Sequence, residues 1–118
     1  MIDLREYITD DGVSPFHRWL YKLKNKEARA RIRIRLDRVV NGNLGDYKSL
    51  SNGLYELRFT IGSWYRIYFA SDRDSIILLL CGGDKSTQNK DIEQVRVYLD
   101  DYMRKIKWLC HTEVIKII

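Results

Sequence analysis

The stretch "LYELRFTIGSWYRIYF", residues 54–69, carries two runs of alternating apolar and polar residues on either side of a glycine. Alternation with a period of two is typical of half-buried β-strands. Residues directly opposite each other in an antiparallel pair share a face of the sheet, so the pattern favours a three-residue loop at 61–63 over a two-residue turn. In that register Arg58 lies opposite Arg66.

The predicted register divides the strand pair into a core face and a face that is at least partly open. The open face carries the side chains of Glu56, Arg58, Trp64, Arg66 and Tyr68. Like charges directly opposite each other destabilise a sheet, by a few tenths up to about 1 kcal/mol. An anion bound between the two guanidinium groups reverses that sign, because guanidinium forks fit phosphate oxygens in a bidentate way. In the alternative interpretation, Glu56 and a nearby acid neutralise both arginines as a surface network.

The rest of the chain predicts two more strands and three helices around this pair. Ser14 and Pro15 are a strong helix start, as N-cap and first helical residue. The run 76–81 is apolar throughout, as in a central strand covered on both faces. Predicted strands lie at 2–8, 54–61, 64–71 and 75–81, and predicted helices at 14–25, at 27–42 and from about residue 86 onwards. The order β-α-α-β-β-β-α predicts an α+β domain, a small antiparallel sheet with helices packed on one face.

Composition and charge set the class of protein and of partner. The chain has 118 residues, 45% of them hydrophobic and 31% charged, which is typical of one globular domain. A net charge of +5 favours an anionic partner. Residues 22–38 hold eight basic and two acidic residues. This run is interpreted either as the solvated face of a helix or as a face that binds RNA backbone or an acidic partner.

Other sequence features exclude several kinds of protein. The N-terminus lacks the pattern of a signal peptide, and the longest apolar run is too short to cross a bilayer. These features predict a cytoplasmic protein without a membrane partner. Cys81 and Cys110 lack metal-ligand spacing and are interpreted as two reduced thiols in or near a core. The sequence predicts neither a metal nor another cofactor.

The segment "CGGDKSTQNKDI", residues 81–92, joins a buried strand to a helix. Backbone N–H groups at a helix start suit an anion, and Lys85 lies beside them. The spacing of a Walker A loop is absent. A plain capped strand-to-helix turn explains the segment equally well.

Taken together, "GLYELRF", "YRIYF" and "ILLLCGGDKSTQNKDI" resemble the HigB-like, phage-related addiction-module killer proteins of the RelE/ParE toxin superfamily. The resemblance covers roughly residues 1–105, so residues 106–118 are interpreted as a C-terminal extension of a single domain spanning 1–118. It implies a compact sheet with helices on one side. It also implies a type II toxin held in check by a cognate antitoxin, a small helix-turn-helix protein encoded next to it.

The resemblance further implies cleavage of messenger RNA during translation on the ribosome, without a metal ion. The RNA 2′-hydroxyl attacks the adjacent phosphate and leaves a 2′,3′-cyclic phosphate and a 5′-hydroxyl. Such a reaction needs fixed positive charge near the phosphate oxygens. We assign that charge to Arg58, Arg66 and Lys85, proton transfer to Tyr68 and Glu56 (with Lys85 as an alternative acid), a flanking phosphate to Lys48, and base stacking to Trp64 or Tyr65.

Two other functions stay open at this point. One is a ParE-like inhibitor of DNA gyrase, which shares the fold and acts by binding a protein. The other is a non-catalytic RNA-binding or interaction domain. The clustering of Arg58, Arg66, Tyr68 and Lys85 favours the nuclease, because a gyrase inhibitor has no need of these side chains.

Overall fold

The structure is a computed structural model that describes residues 1–72 and 75–117, with side chains up to residue 106. It confirms the α+β class. A short 3-10 turn, Lys85–Thr87, precedes the last helix. The strands are β1 (Asp3–Glu6), β2 (Tyr47–Ser51), β3 (Leu54–Arg58), β4 (Arg66–Asp72) and β5 (Ile76–Gly83), and the helices are α1 (Pro15–Lys22), α2 (Lys26–Val40) and α3 (Gln88–Ile117).

The five strands form one mixed sheet in the order β1-β5-β4-β3-β2. β3, β4 and β5 pair antiparallel, as predicted, and β2 adds a further antiparallel strand, but β1 pairs parallel with β5. The prediction of a purely antiparallel sheet is therefore wrong at one edge. Two helices separate β1 from the later strands, so no hairpin sets its direction.

β2 was predicted as loop. Four of its five residues are exposed, and an exposed edge strand leaves no alternating pattern to detect.

Helices pack on both faces of the sheet, which corrects the prediction of a single covered face. Strand β5 shows the division most clearly. Ile77 and Leu79 join the core under α1 and α2, whereas Leu78 and Leu80 join a second core with Val95 of α3. The apolar run of β5 is thus a central strand buried on both sides, as its composition predicts.

The first helix begins at the predicted cap, and the second begins at Lys26, one residue before its predicted start, after an Asn25 cap that the sequence analysis did not identify. The Ser14 hydroxyl accepts a hydrogen bond from the backbone N–H of His17 at 3.1 Å. The Asn25 side chain accepts one from the N–H of Ala28, also at 3.1 Å. Each cap satisfies a backbone donor that the helix itself leaves free. Within the described ranges, no helix has the length and apolar character needed to cross a membrane.

Candidate functional site

The central strand pair has the predicted register. Arg58 lies opposite Arg66, and Glu56 lies opposite Tyr68. Beyond the ladder, the N–H of Phe59 donates to the carbonyl of Tyr65 at 2.9 Å. Alternation along the two strands was thus enough to fix which side chains share a face.

The buried part of this face differs from the prediction of an open surface. Glu56 is 1% exposed and Tyr68 is 0% exposed, because α3 covers the face at their level. The Tyr68 hydroxyl has no hydrogen-bond partner among the described residues. Burial, followed by the charge of Glu56, raises the pKa of Tyr68, so the phenol stays protonated at neutral pH. As placed, neither side chain reaches a substrate directly.

Arg66 is held in place at the border of the buried region. Its Nη1 donates to the carbonyl oxygen of Trp64 at 3.2 Å. Its Nε lies 3.6 Å from Oε2 of Glu56, and the Arg66 side chain is only 13% exposed. The same carboxylate oxygen accepts a hydrogen bond from Nε2 of Gln88, the first residue of α3, at 3.3 Å. The sequence analysis missed Gln88, because its contact depends on α3 crossing this face of the sheet.

Arg58 has a more exposed environment than Arg66. Its Nη2 and Nε donate to Oδ1 of Asp46 at 2.9 Å and 3.3 Å, and its side chain is 40% exposed. Glu56 and Asp46 therefore neutralise the two arginines, as in the alternative interpretation of the sequence. An exposed ion pair of this kind contributes about 0–1 kcal/mol, so a phosphate can replace Asp46 at little cost.

Lys85 and Trp64 form an exposed rim beside Arg66. The Lys85 N–H donates to the carbonyl of Ser63 at 3.3 Å, and its Nζ lies 6.0 Å from the centre of the Trp64 ring. Trp64 is 52% exposed and has a φ of 60°, which is uncommon for a bulky residue. The turn thus directs an aromatic side chain and a cation toward solvent at the same place.

The turn between β5 and α3 brings Lys85 to this rim. A Cβ at Gly83 would collide with the carboxylate of Asp91, so a larger residue here would require that side chain to move. Asp84 caps the turn by accepting from the N–H groups of Ser86 and Thr87, at 2.9 Å and 3.2 Å. The hydrogen bond from the Ser86 hydroxyl, together with these two, lowers the pKa of Asp84. The capped-turn interpretation is correct, and these two N–H groups are occupied.

Tyr65 and Lys48, two of the predicted RNA-binding residues, lie away from the rim formed by Lys85 and Trp64. Tyr65 is 8% exposed and packs edge-on against Trp19, on the face covered by α1 and α2. It therefore presents no face for base stacking. Lys48 lies in β2, opposite Glu56, where the prediction had a loop. It is exposed at the edge of the sheet, on the side of the sheet that carries Arg58 and Arg66.

Comparison with known proteins places the chain in a family. The family model described as "Phage derived protein Gp49-like (DUF891)" matches residues 18–101. The chain belongs to this Gp49-like family. A Haemophilus influenzae protein named "Uncharacterized protein" is 49% identical over 82 residues, which are 70% of this chain and 83% of that protein. The Gp49-like family is toxin-like and related to RelE and HigB, which agrees with the resemblance at that level.

The site of this Gp49-like protein can bind a polyanion. Arg58, Lys85 and Lys48 are accessible cations, Arg66 is a fixed one, and Trp64 offers an aromatic face. Over the described residues, no three His, Cys, Asp or Glu side chains come together to hold a metal ion. Cys81 is half-buried, and burial raises its pKa to about 11. Cys110 lies beyond the described side chains.

Proposed function

We propose that this Gp49-like protein is the toxin of a type II toxin–antitoxin system and cleaves messenger RNA without a metal ion. The observation that carries the proposal is the position of Arg66. A guanidinium anchored by Glu56 and the Trp64 carbonyl lies beside the exposed Lys85 and Trp64. A gyrase inhibitor gives no reason for a fixed cation at an exposed aromatic rim. The toxin-like family adds independent support.

The proposed reaction is attack by an RNA 2′-hydroxyl on the neighbouring phosphorus. The 2′-oxygen–phosphorus bond forms, the phosphorus–5′-oxygen bond breaks, and the products are a 2′,3′-cyclic phosphate and a 5′-hydroxyl. The 2′-hydroxyl proton passes to water, and the Lys85 ammonium gives a proton to the leaving 5′-oxygen. Arg66 and Arg58 stabilise the negative charge on the phosphorane oxygens, a contribution that is usually the largest in such sites.

The other predicted residues take supporting roles in this proposal. Trp64 stacks on a splayed base, since every base has a π-face and stacking contributes about 1–3 kcal/mol. Lys48 contacts a flanking phosphate. Glu56 and Tyr68, which are buried, position Arg66 and the strand pair rather than transfer protons. The proposed partners are translated messenger RNA on the ribosome and a cognate antitoxin, which place the protein in the cytoplasm.

The decisive experiment compares Lys85→Ala with Lys24→Ala, a substitution of an exposed lysine between α1 and α2. We expect Lys85→Ala to slow cleavage of translated messenger RNA about 100- to 1000-fold, and Lys24→Ala to leave it unchanged. EDTA should have no effect, the cut ends should carry 2′,3′-cyclic phosphate, and DNA should stay intact.

Other outcomes of the same experiment separate the competing functions. Intact transcripts together with gyrase-linked DNA breaks in induced cells would replace the nuclease by a ParE-like inhibitor. Tight RNA binding without cleavage would indicate a non-catalytic RNA-binding domain. Growth arrest that a co-expressed neighbouring helix-turn-helix protein relieves would support the toxin assignment without deciding the chemistry.

A further inference from the structure

A cavity of about 410 Å³ lies between α2 and the end of β3, next to the candidate site, with which it shares Arg58 and Asp46. It has the volume of a small-molecule pocket. Four arginines and one aspartate give its lining a formal charge of +3. The arginines are Arg31, Arg35, Arg38 and Arg58, and the aspartate is Asp46.

Arg35 is a structural wall of this cavity. Its Nε donates to the Leu44 carbonyl at 2.9 Å, Nη1 to the Arg58 carbonyl at 2.9 Å, and Nη2 to the Asp46 carbonyl at 2.7 Å. Its guanidinium lies over the ring of Phe59, 4.8 Å from the centroid. All three nitrogens are used, so Arg35 holds the walls together and leaves ligand binding to its neighbours.

Arg38 and Arg31 are the accessible cations of the cavity. The Arg38 side chain has no hydrogen bond or ion pair among the described residues, and it is exposed. Arg31 pairs with Glu27 at 3.0 Å, on the surface, with 55% of its own side chain exposed. Such a pair is weak and exchanges readily for a phosphate.

Apart from Thr60, the remaining lining is apolar, which selects the kind of anion. Ile34 is 52% exposed and Ile61 half-buried beside it, whereas Phe59 is buried beneath the Arg35 guanidinium. An apolar floor between guanidinium groups matches a nucleotide, with its base on the floor and its phosphate on the cations. Arg58 belongs both to this cavity and, by its register with Arg66, to the candidate site.

We propose that the cavity is a subsite for one nucleotide of the RNA strand, next to the nucleotides at the cleavage site. The inference rests on the proposed function for the identity of the strand. Arg58 joins the two regions: one phosphate lies at Arg58, and the next nucleotide places its base against Ile34 and its phosphate against Arg38 and Arg31.

The test measures binding of a fluorescein-labelled 2′-O-methyl RNA 12-mer by fluorescence anisotropy over a range of salt concentrations. Arg38→Glu is compared with Arg33→Glu, the same charge reversal at an exposed position of α2 about 140° around the helix. We expect Arg38→Glu to raise Kd about tenfold or more, and to lower the slope of log K against log salt by about 0.7. Arg33→Glu should raise Kd less than threefold. Ile34→Asp should weaken binding as Arg38→Glu does.

Equal losses in Arg38→Glu and Arg33→Glu would overturn the subsite, since they would report only general charge. Displacement of the labelled RNA by polyglutamate as effectively as by unlabelled RNA would overturn it in favour of an acidic polypeptide. The 2′-O-methyl group removes the attacking hydroxyl, so this readout does not depend on cleavage. A protein that binds this RNA through Arg38 but cuts no transcript would retain the subsite and lose the nuclease.

Discussion

Replacing Arg66 by glutamine tests the buried half of the site. The guanidinium lies 3.6 Å from a carboxylate oxygen of Glu56, and the two side chains are 13% and 1% exposed. At an effective dielectric constant of about 20, that separation corresponds to an attraction of about 4–5 kcal/mol before desolvation. Removing one partner of a buried pair leaves an uncompensated charge and typically costs about 3–5 kcal/mol. We expect Arg66→Gln to lower the free energy of unfolding by about 3 kcal/mol.

Arg58→Gln is the matched control, because it removes the same guanidinium from the opposite position of the ladder. Its partner Asp46 is 51% exposed, so water can take over the carboxylate. We expect a loss below about 1 kcal/mol. The double variant Glu56→Gln/Arg66→Gln removes both charges and should recover about 2 kcal/mol relative to Arg66→Gln alone. Urea denaturation at neutral pH measures all three free energies.

The result that refutes this reasoning is a loss below about 1 kcal/mol in Arg66→Gln. Equal losses in Arg66→Gln and Arg58→Gln would be as damaging. Either outcome would mean that Glu56 does not depend on Arg66 for compensation. The sequence alone predicts that removing either arginine costs little stability, because each is half of a repulsive pair. The burial of Glu56 is what separates the two positions.

Three further predictions concern the surroundings of the site. Tyr68→Phe removes a buried hydroxyl that has no hydrogen-bond partner among the described residues. The free energy of unfolding in urea should therefore stay equal or rise by up to about 1 kcal/mol, and RNA cleavage should persist. Gly83→Ala should lower Tm, because its Cβ forces the hydrogen-bonded Asp91 carboxylate to move and overpacking costs about 1–3 kcal/mol. The folded-state pKa of Asp84 lies below its ordinary value of 3.8, so the unfolded state binds more protons near pH 3. Stability therefore falls as the pH drops below about 4. Asp84→Asn should reduce this fall in stability, as measured by thermal melts at acid pH.

The register of the central strands could be read from the sequence because alternation has only two outcomes. Shifting the pairing by one residue would move Leu57 and Ile67 out of the core, so the pattern alone selects the pairing of Arg58 with Arg66. The start of the first helix was equally clear from the sequence, whereas the Asn25 cap of the second was not identified. Ser14 and Pro15 mark one start, and the caps are local interactions that need no knowledge of the rest of the fold.

The position of α3 could not be read in the same way. Helical periodicity identifies the apolar side of a helix, but it does not say which face of the sheet that side covers. Glu56 and Tyr68 were therefore predicted on a surface that α3 in fact buries. The prediction that Tyr65 stacks on a base did not take its burial into account. Its alternation placed it correctly on the core face, and its aromatic character alone made it a stacking candidate.

The border between the buried and exposed halves of this sheet face depends on where α3 begins. Gly83 pairs with Arg66 in the ladder and lets the first turn of α3 pass directly over it. Gln88 can then reach Glu56, and residues before it leave the end of the strand pair uncovered. A side chain at position 83 would clash with the Asp91 and Thr87 side chains at the start of α3. Gly83 therefore contributes to the site without contacting a ligand, because it lets α3 begin directly beside the ladder position of Arg66.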